Sequence, residues 1–417
     1  MLRFLTAGES HGPALVGIVE GLPAGLHVEV EPINHDLARR QIGVGRSARM
    51  QIENDRVEIL GGVVNGQTIG APVTLKIENL DYANWKDKTV SPQTIPRPGH
   101  ADLAGAVKYD LNDLHLVAER ASARETAMRV ACGALARLLL AEFGIIVGSH
   151  VLEIGGVRAE IPDAQYPDIF ARAQASDVGV ADAASAEKIR ARIEEVMRAQ
   201  DTVGGIIEIV ALNVPVGLGS HVHWDRRLDG RLAQAVMSIP SVKGVEIGTA
   251  FENARRLGTQ VQDEIFPMTN ERMTNERMTN ERMTNEQMTN EQMTNEQMAN
   301  DKWRSSILCS GQVSNLQSLI SRETNRAGGL EGGITNGMPI VVRAALKPIA
   351  TTATPLRSVN LATGEPARAP YQRSDFCHVP RACVIGEAMV AWVLADALIE
   401  KLGGDSVDEM KRHLEDG

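Results

Sequence analysis

Between residues 56 and 79 the chain reads RVEILGGVVNGQTIGAPVTLKIEN, with apolar and polar residues trading places along much of it. Alternation of this kind predicts strands with one buried face. Asn65-Gly66 predicts a hairpin turn between them. A related run at 328–349, GGLEGGITNGMPIVVRAALKPI, carries Asn336-Gly337 in the same role. The two share Gly-Gly, two residues, Asn-Gly, and then Pro before a β-rich stretch. The matching positions are Gly61, Gly62, Asn65, Gly66 and Pro72 against Gly332, Gly333, Asn336, Gly337 and Pro339. The spacing to Pro differs, so the match is a modest hint of internal duplication.

Helical patterning is clearer. In ASARETAMRVACGALARLLLAEFG, Ser122 and Glu125 form a capping-box pattern, and Met128, Ala131, Leu135, Leu138 and Leu139 follow at helical spacing. Residues 185–200 read as an amphipathic helix exposed on one face. The most apolar long segment, IGEAMVAWVLADALIE at 385–400, holds Glu387, Asp396 and Glu400 and predicts a buried helix, not a membrane span. It should stop at Gly403-Gly404, and Ser406 with Glu409 should cap a short final helix. Strands and helices mixed in this way predict an α+β protein.

Residues 268–297 break the pattern: MTNER three times, then MTNEQ three times, followed by the worn copy MANDK at 298–302. A five-residue step turns a helix by about 140°, which scatters the methionines around it. An odd period fails for a strand too. The repeat therefore reads as a solvated insertion within 267–321 of an otherwise single domain spanning 1–417.

Composition narrows the field. The chain has 417 residues, 43% hydrophobic and 23% charged, as in ordinary soluble proteins. Only 3% are aromatic and the net charge is −10, which argues against nucleic acid or an anionic membrane as partner. The N-terminus shows no signal-peptide pattern. Four cysteines (132, 309, 377, 383) lack metal or redox spacing and read as reduced thiols in a cytoplasmic protein.

Any anionic ligand must then be met by local cation clusters. Arg39, Arg40, Arg46 and Arg49 fall within eleven residues, around Gly43 and Gly45, and guanidinium forks suit phosphate and carboxylate. A basic surface loop would look the same. A helix start at Arg120–Glu125 offers free N–H groups to an anion, and ordinary capping is the competing reading. Lys347 leads a strand end with free Thr hydroxyls. His11 in GESHG sits between small residues, and His100 in RPGHAD follows a Pro-Gly turn. His221 and His223 alternate on an expected strand, with no third metal ligand evident. Asp375 has Arg373 two residues away.

The blocks AGESHG, RRQIGVGRSARM, RPGHADL, ERASARET, HWDRRLDGRLAQAVMSIPSVKGVEIG, NRAGGLEGGITNG, KPI and QRSDFCHVP resemble chorismate synthase, in order, over residues 1–266 and 322–402. Departures are the 267–321 segment and small differences at His221 and Thr249-Ala250.

The resemblance implies elimination of phosphate from 5-enolpyruvylshikimate 3-phosphate to give chorismate, using reduced FMN without net redox change. Some family members also reduce FMN with NADPH. The absence of GxGxxG after a strand favours the monofunctional form. By resemblance, His11 is the acid near the departing phosphate, His100 stands beside the flavin, and Asp375 manages a flavin proton. Arg39, Arg40, Arg46 and Arg49 take substrate or NADP. Flavin contacts fall on Arg120, Ala121, Ser122, Pro240, Ser241, Gly332, Lys347, Pro348, Ile349, Ala350, Thr351 and Arg373. The implied fold is a set of helices sandwiched between two antiparallel sheets, with internal pseudo-duplication, assembled as a homotetramer.

Overall fold

The computed structural model describes residues 1–45, 54–88, 90–267, 320–372 and 374–416. The pentads, Cys309, Arg46, Arg49 and Arg373 lie outside the described residues.

The strands are β1 (Arg3–Ala7), β2 (Ala14–Glu20), β3 (Val57–Gly61), β4 (Val63–Val64), β5 (Gln67–Thr68), β6 (Val73–Glu78), β7 (Ile146–Ile154), β8 (Val157–Arg158), β9 (Gly205–Leu212), β10 (Val242–Ile247), β11 (Phe266–Pro267), β12 (Ile320–Ser321), β13 (Leu330–Glu331), β14 (Ile334–Thr335), β15 (Ile340–Leu346), β16 (Arg357–Val359) and β17 (Pro366–Arg368). The helices are α1 (Val30–Arg40), α2 (Asp102–Tyr109), α3 (Leu114–Ala121), α4 (Thr126–Ala141), α5 (Tyr166–Ala175), α6 (Ala183–Arg198), α7 (Leu228–Met237), α8 (Ala250–Asn253), α9 (Val379–Leu402) and α10 (Val407–Asp416).

Helices mix with several antiparallel sheets, as expected of an α+β chain. One sheet runs β1-β2-β6-β3 and another β10-β15-β9-β7-β8, with every pairing antiparallel. The alternation in β6 buries Val73, Leu75 and Ile77 and leaves Thr74 and Lys76 on the other face. Asn65 and Gly66 take positive φ, 51° and 76°, in the two-residue turn between β4 and β5, as the pattern predicted.

The second hairpin is placed differently. Its turn is Gly332-Gly333 (φ 61° and 83°) between β13 and β14, and Asn336-Gly337 only leads on towards β15. The pair of left-handed glycines meets the turn's backbone demand first, so Asn-Gly is left over.

Helix α4 touches β1, β2, β6 and β7, while α9 touches β7, β9, α1, α4 and α7. Helix α9 is apolar and buried on all sides, which suits an inner helix and not a solvent-facing one. By length and composition it could cross a membrane, but 89% of its most apolar window is buried within the protein. Its crossing with α4 is tight, since a Cβ on Gly133 would lie 2.4 Å from the Ala388 Cβ. Helix α6 is amphipathic as expected, burying Ala186, Ile189, Ile193 and Val196. Gly403 ends α9, and the Ser406 hydroxyl accepts from the Glu409 N–H at 3.3 Å in α10.

Contacts divide the chain into a larger unit, Met1–Gly248 with Gly328–Asp416, and a smaller one, Thr249–Ala327. Within the smaller unit β11 pairs with β12, Pro267 opposite Ile320, so the described ends of the 267–321 segment close on each other. The Asp263 carboxylate accepts from the Thr324 hydroxyl (2.5 Å) and from the N–H groups of Arg326 (2.8 Å) and Ala327 (2.9 Å).

Candidate active site

A cavity of about 1000 Å³ opens in the larger unit. Its wall holds Arg40, Lys88, Arg97, Arg124, Lys243, Lys347 and Arg381 against the carboxylates of Asp81, Glu119 and Asp375, among the described residues. Behind the wall, Asp55 pairs with Arg124 (2.6 Å) and Arg40 (3.5 Å), and Asp102 pairs with Arg97 (2.8 Å), which offsets part of this charge. The cation excess that remains, in a chain of net charge −10, suits an anionic ligand.

Two histidines on the wall share one device. The His11 Nδ1 lies 2.6 Å from Glu119 Oε1, and the His11 backbone N–H donates to Glu119 Oε2 at 2.8 Å. His11 comes from the loop between β1 and β2, Glu119 from α3. The Trp85 ring covers the imidazole at 3.9 Å between centroids. Burial alone would push the Glu119 carboxyl up, but hydrogen bonds from His11 and the nearby charges of His11 and His115 outweigh it and hold it below the usual range. It is therefore a carboxylate at neutral pH, and His11 donates through Nδ1.

His100 repeats the arrangement. Its Nδ1 lies 2.6 Å from Asp102 Oδ1. The Arg97 fork grips the same carboxylate through Nε (2.8 Å) and Nη2 (2.9 Å). Asp102 is buried, which opposes ionisation, yet bonds from His100 and Arg97 depress its pKa strongly. Arg97 also donates to Gln372 Oε1 at 2.6 Å and Thr351 Oγ1 at 3.3 Å, tying the site to the chain after β15. A carboxylate on Nδ1 fixes the tautomer and leaves Nε2 for chemistry.

Other expected residues divide by position. Arg40, Ala121, Ser122, Pro240, Ser241, Lys347, Ile349, Ala350, Thr351 and Asp375 all line the cavity with His11 and His100. Arg40 donates to Thr126 Oγ1 (3.1 Å) and to the Ala123 carbonyl (2.9 Å). Ser241 is held at φ 74°, a left-handed conformation rare for a side chain of its kind. Asp375 is ion-paired with Arg381.

Arg120, Pro348 and Gly332 are not on the wall. Arg120 is half-exposed and donates to the Thr6 carbonyl at 2.9 Å. It ends helix α3 and does not begin a helix. Ser122 instead caps a 3-10 turn, Ala123–Glu125, by accepting from Arg124 N–H at 3.3 Å. Glu125 does not close a capping box: it accepts from Arg129 Nε at 3.0 Å and Thr6 Oγ1 at 2.9 Å.

The expected convergence of the arginines is corrected for Arg39. Neighbours on a helix point about 100° apart. While Arg40 faces the cavity, Arg39 turns inward and forks onto fully buried Glu387 at 2.7 and 2.8 Å. His221 and His223 lie on a bend before a 3-10 turn, not on a strand, and His223 pairs with Asp225 in solvent.

Sequence reasoning missed Trp85, Arg97, Asp102, His115, Glu119, His378 and Arg381. HAD in RPGHAD carried a signal for Asp102, at two residues from His100. Glu119 is 108 residues from His11, and no local pattern marks it. His378 and Arg381 line the cavity too, with both His378 ring nitrogens and Arg381 Nε and Nη2 buried and lacking hydrogen-bond partners among the described residues.

A family model described as chorismate synthase matches residues 2–399. A chorismate synthase of Geobacter sulfurreducens is 49% identical over 425 aligned residues, covering 100% of this chain and 98% of its own. One from Aquifex aeolicus is 46% identical over 434, covering 100% and 97%. A crystal structure of a chorismate synthase superposes with a TM-score of 0.72 at 40% identity, covering 100% of this chain and 96% of that one.

Proposed function

The chain belongs to the chorismate synthase family, lyases of the shikimate pathway, and from this premise we propose the reaction its cavity performs. The substrate is 5-enolpyruvylshikimate 3-phosphate, which loses phosphate and a ring hydrogen by anti-1,4-elimination to give chorismate. The observation that carries this reading is the pair of carboxylate-held histidines on a cation-rich wall.

The wall fits FMN. Its volume accommodates a flavin beside a small substrate with three anionic groups, Ser241 turns its backbone in a left-handed step, and Arg381 Nε and Nη2 are buried without hydrogen-bond partners among the described residues. Ala121, Ser122, Pro240, Ser241, Lys347, Ile349, Ala350 and Thr351 would hold it. Reduced FMN, when bound, would supply transient electron density to the allylic system, with no net oxidation.

The residues do the rest. Arg40 and the other wall cations neutralise phosphate and carboxylates, with Arg46 and Arg49 as further candidates, and Arg373 as a further flavin contact, by family position. His11 delivers a proton from Nε2 to the departing phosphate oxygen while Glu119 holds Nδ1. His100, held by Asp102, would present Nε2 to the flavin, and Asp375 is the carboxylate that takes up the proton left by the ring hydrogen. Arg39 is assigned to the core.

The contacts of α4 with β1, β2, β6 and β7 and of α9 with β7 and β9 support reading the fold as a helix layer between two sheets, while pseudo-duplication and a tetramer rest on the family resemblance alone. Buried, unpaired Cys132, Cys377 and Cys383 suit a cytoplasmic setting. An anaerobic assay with photoreduced FMN and substrate tests the proposal, by following the ultraviolet absorbance of the new ring diene. Turnover with reduced FMN, and none with oxidised FMN plus NADPH, is expected of a monofunctional enzyme. Turnover with NADPH would assign a reductase activity as well, and no diene in either tube would overturn the reaction.

A further inference from the structure

His115 has no part in the reaction described above, yet it shares a carboxylate with His11. Its Nε2 lies 3.2 Å from Glu119 Oε1, the same oxygen that His11 Nδ1 approaches at 2.6 Å. The ligand atoms of the three residues all fall within 4.8 Å of one another. We infer that His11, His115 and Glu119 form a binding site for one zinc-type dication, and that its occupant withdraws His11 from acid–base work.

The geometry favours this ion class. A tetrahedral ion with ligands at roughly 2.0–2.1 Å holds neighbouring ligand atoms roughly 3.3 Å apart. The His115–Glu119 spacing already matches, the His11–Glu119 edge must open by about 0.7 Å on that geometry, and the third edge, between the two imidazole nitrogens, lies within 4.8 Å. Glu119 and His115 are four residues apart on α3, so they share a helix face, the spacing used by paired ligands in helical zinc motifs. The two imidazoles are nearly parallel, 16° apart, and both turn a nitrogen towards the same oxygen. Two nitrogens and a carboxylate select zinc, cobalt, nickel or copper over magnesium and calcium, which want oxygen alone. The cavity supplies the fourth position.

Two imidazoles sharing a carboxylate through hydrogen bonds alone account for the same distances, so the test must separate the two. On binding, the ion replaces the protons that His11 Nδ1 and His115 Nε2 direct at Glu119: each imidazole stays neutral with its remaining proton on the other ring nitrogen, and any proton in excess of that goes to solvent. With Nδ1 coordinated and Glu119 drawn to the metal, the imidazole cannot become the cation that donates from Nε2. Binding itself does not depend on the proposed reaction; only the inhibition does.

The test uses the full chain, metal-free, titrated with Co²⁺ and read by ligand-field absorption. The expected result is one ion per chain with four-coordinate bands, displaced by Zn²⁺. His115→Ala should weaken binding by at least about tenfold, since loss of even an outer partner costs that much. His115→Gln is the second variant, with circular dichroism checking the fold of both. If neither folds, quenching by Ni²⁺ in the unmutated chain that disappears in Trp85→Phe supports the site. Failure to bind, binding unchanged in both folded variants, or no Trp85-dependent quenching overturns it. Zn²⁺ should slow turnover with the midpoint of binding, and binding without inhibition would overturn the withdrawal of His11.

Discussion

His11 Nδ1 and Glu119 Oε1 stand 2.6 Å apart, joining residues 108 positions distant in the chain. A second contact, from the His11 backbone N–H to Glu119 Oε2, fixes the loop as well as the ring. One carboxylate thus decides which imidazole nitrogen is available to substrate.

Glu119→Gln keeps the shape and removes the charge. An amide can offer the imidazole an N–H and so admit the wrong tautomer. The expected loss is about 10²-fold or more in kcat, the range of a positioned acid–base group, with little change in KM. A variant with near-normal kcat would show that Glu119 does not position His11.

Arg39→Leu separates a core role from a binding role. Glu387 is fully buried, and without Arg39 the partners that remain to it among the described residues are Arg137, at 3.2 Å, and the Ser149 hydroxyl. Breaking a buried ion pair costs about 3–5 kcal/mol, and urea unfolding should find a value near the lower end. Unchanged stability with a raised KM for substrate would return Arg39 to the binding set.

His378 sets a pH dependence. Burial first, and the Arg381 charge next, push its pKa down to about 4 against the pull of Asp375. The unfolded chain protonates this imidazole near 6.5, so between 6.5 and 4 the unfolded state binds more protons. Stability from this group is therefore present above about pH 6.5 and lost as pH falls through that window. His378→Val should flatten the slope relative to the parent. It should also stabilise by about 1 kcal/mol at neutral pH by removing nitrogens that have no hydrogen-bond partner among the described residues. An unchanged slope in urea unfolding between pH 4 and 6.5 would contradict this.

The pentads are expected to be dispensable. Every described residue lining the cavity belongs to the larger unit, and Pro267 pairs with Ile320 so that the segment's described ends meet. Deleting 268–302 should leave diene formation within about twofold, since closing a shorter loop costs little. A large fall in kcat from a folded deletion variant would give the repeat a role.

How much of this was legible in the sequence depends on how local each feature is. The alternation of β6, the amphipathic α6 and the buried α9 are periodic, and periodicity reports which face is buried. Asn65-Gly66 is a local turn and formed as one. Gly332-Gly333 displaced Asn336-Gly337 because two left-handed residues were available earlier, a choice that composition alone does not rank. The arginine cluster was visible, but its direction was not: Arg39 and Arg40 are adjacent in sequence and serve different places. His11 and His100 stood out by context. Their carboxylates are tertiary partners, and only Asp102, two residues from His100, left a local trace.

The most direct measurement is a single anaerobic turnover with photoreduced FMN and 5-enolpyruvylshikimate 3-phosphate, comparing the unmutated chain with His11→Ala. The account predicts a diene absorbance burst in the first. In the second it predicts a rate lower by about 10²-fold or more, with flavin and substrate still bound. Equal rates in both proteins would contradict the placement of the acid at His11, and with it the cavity chemistry described here.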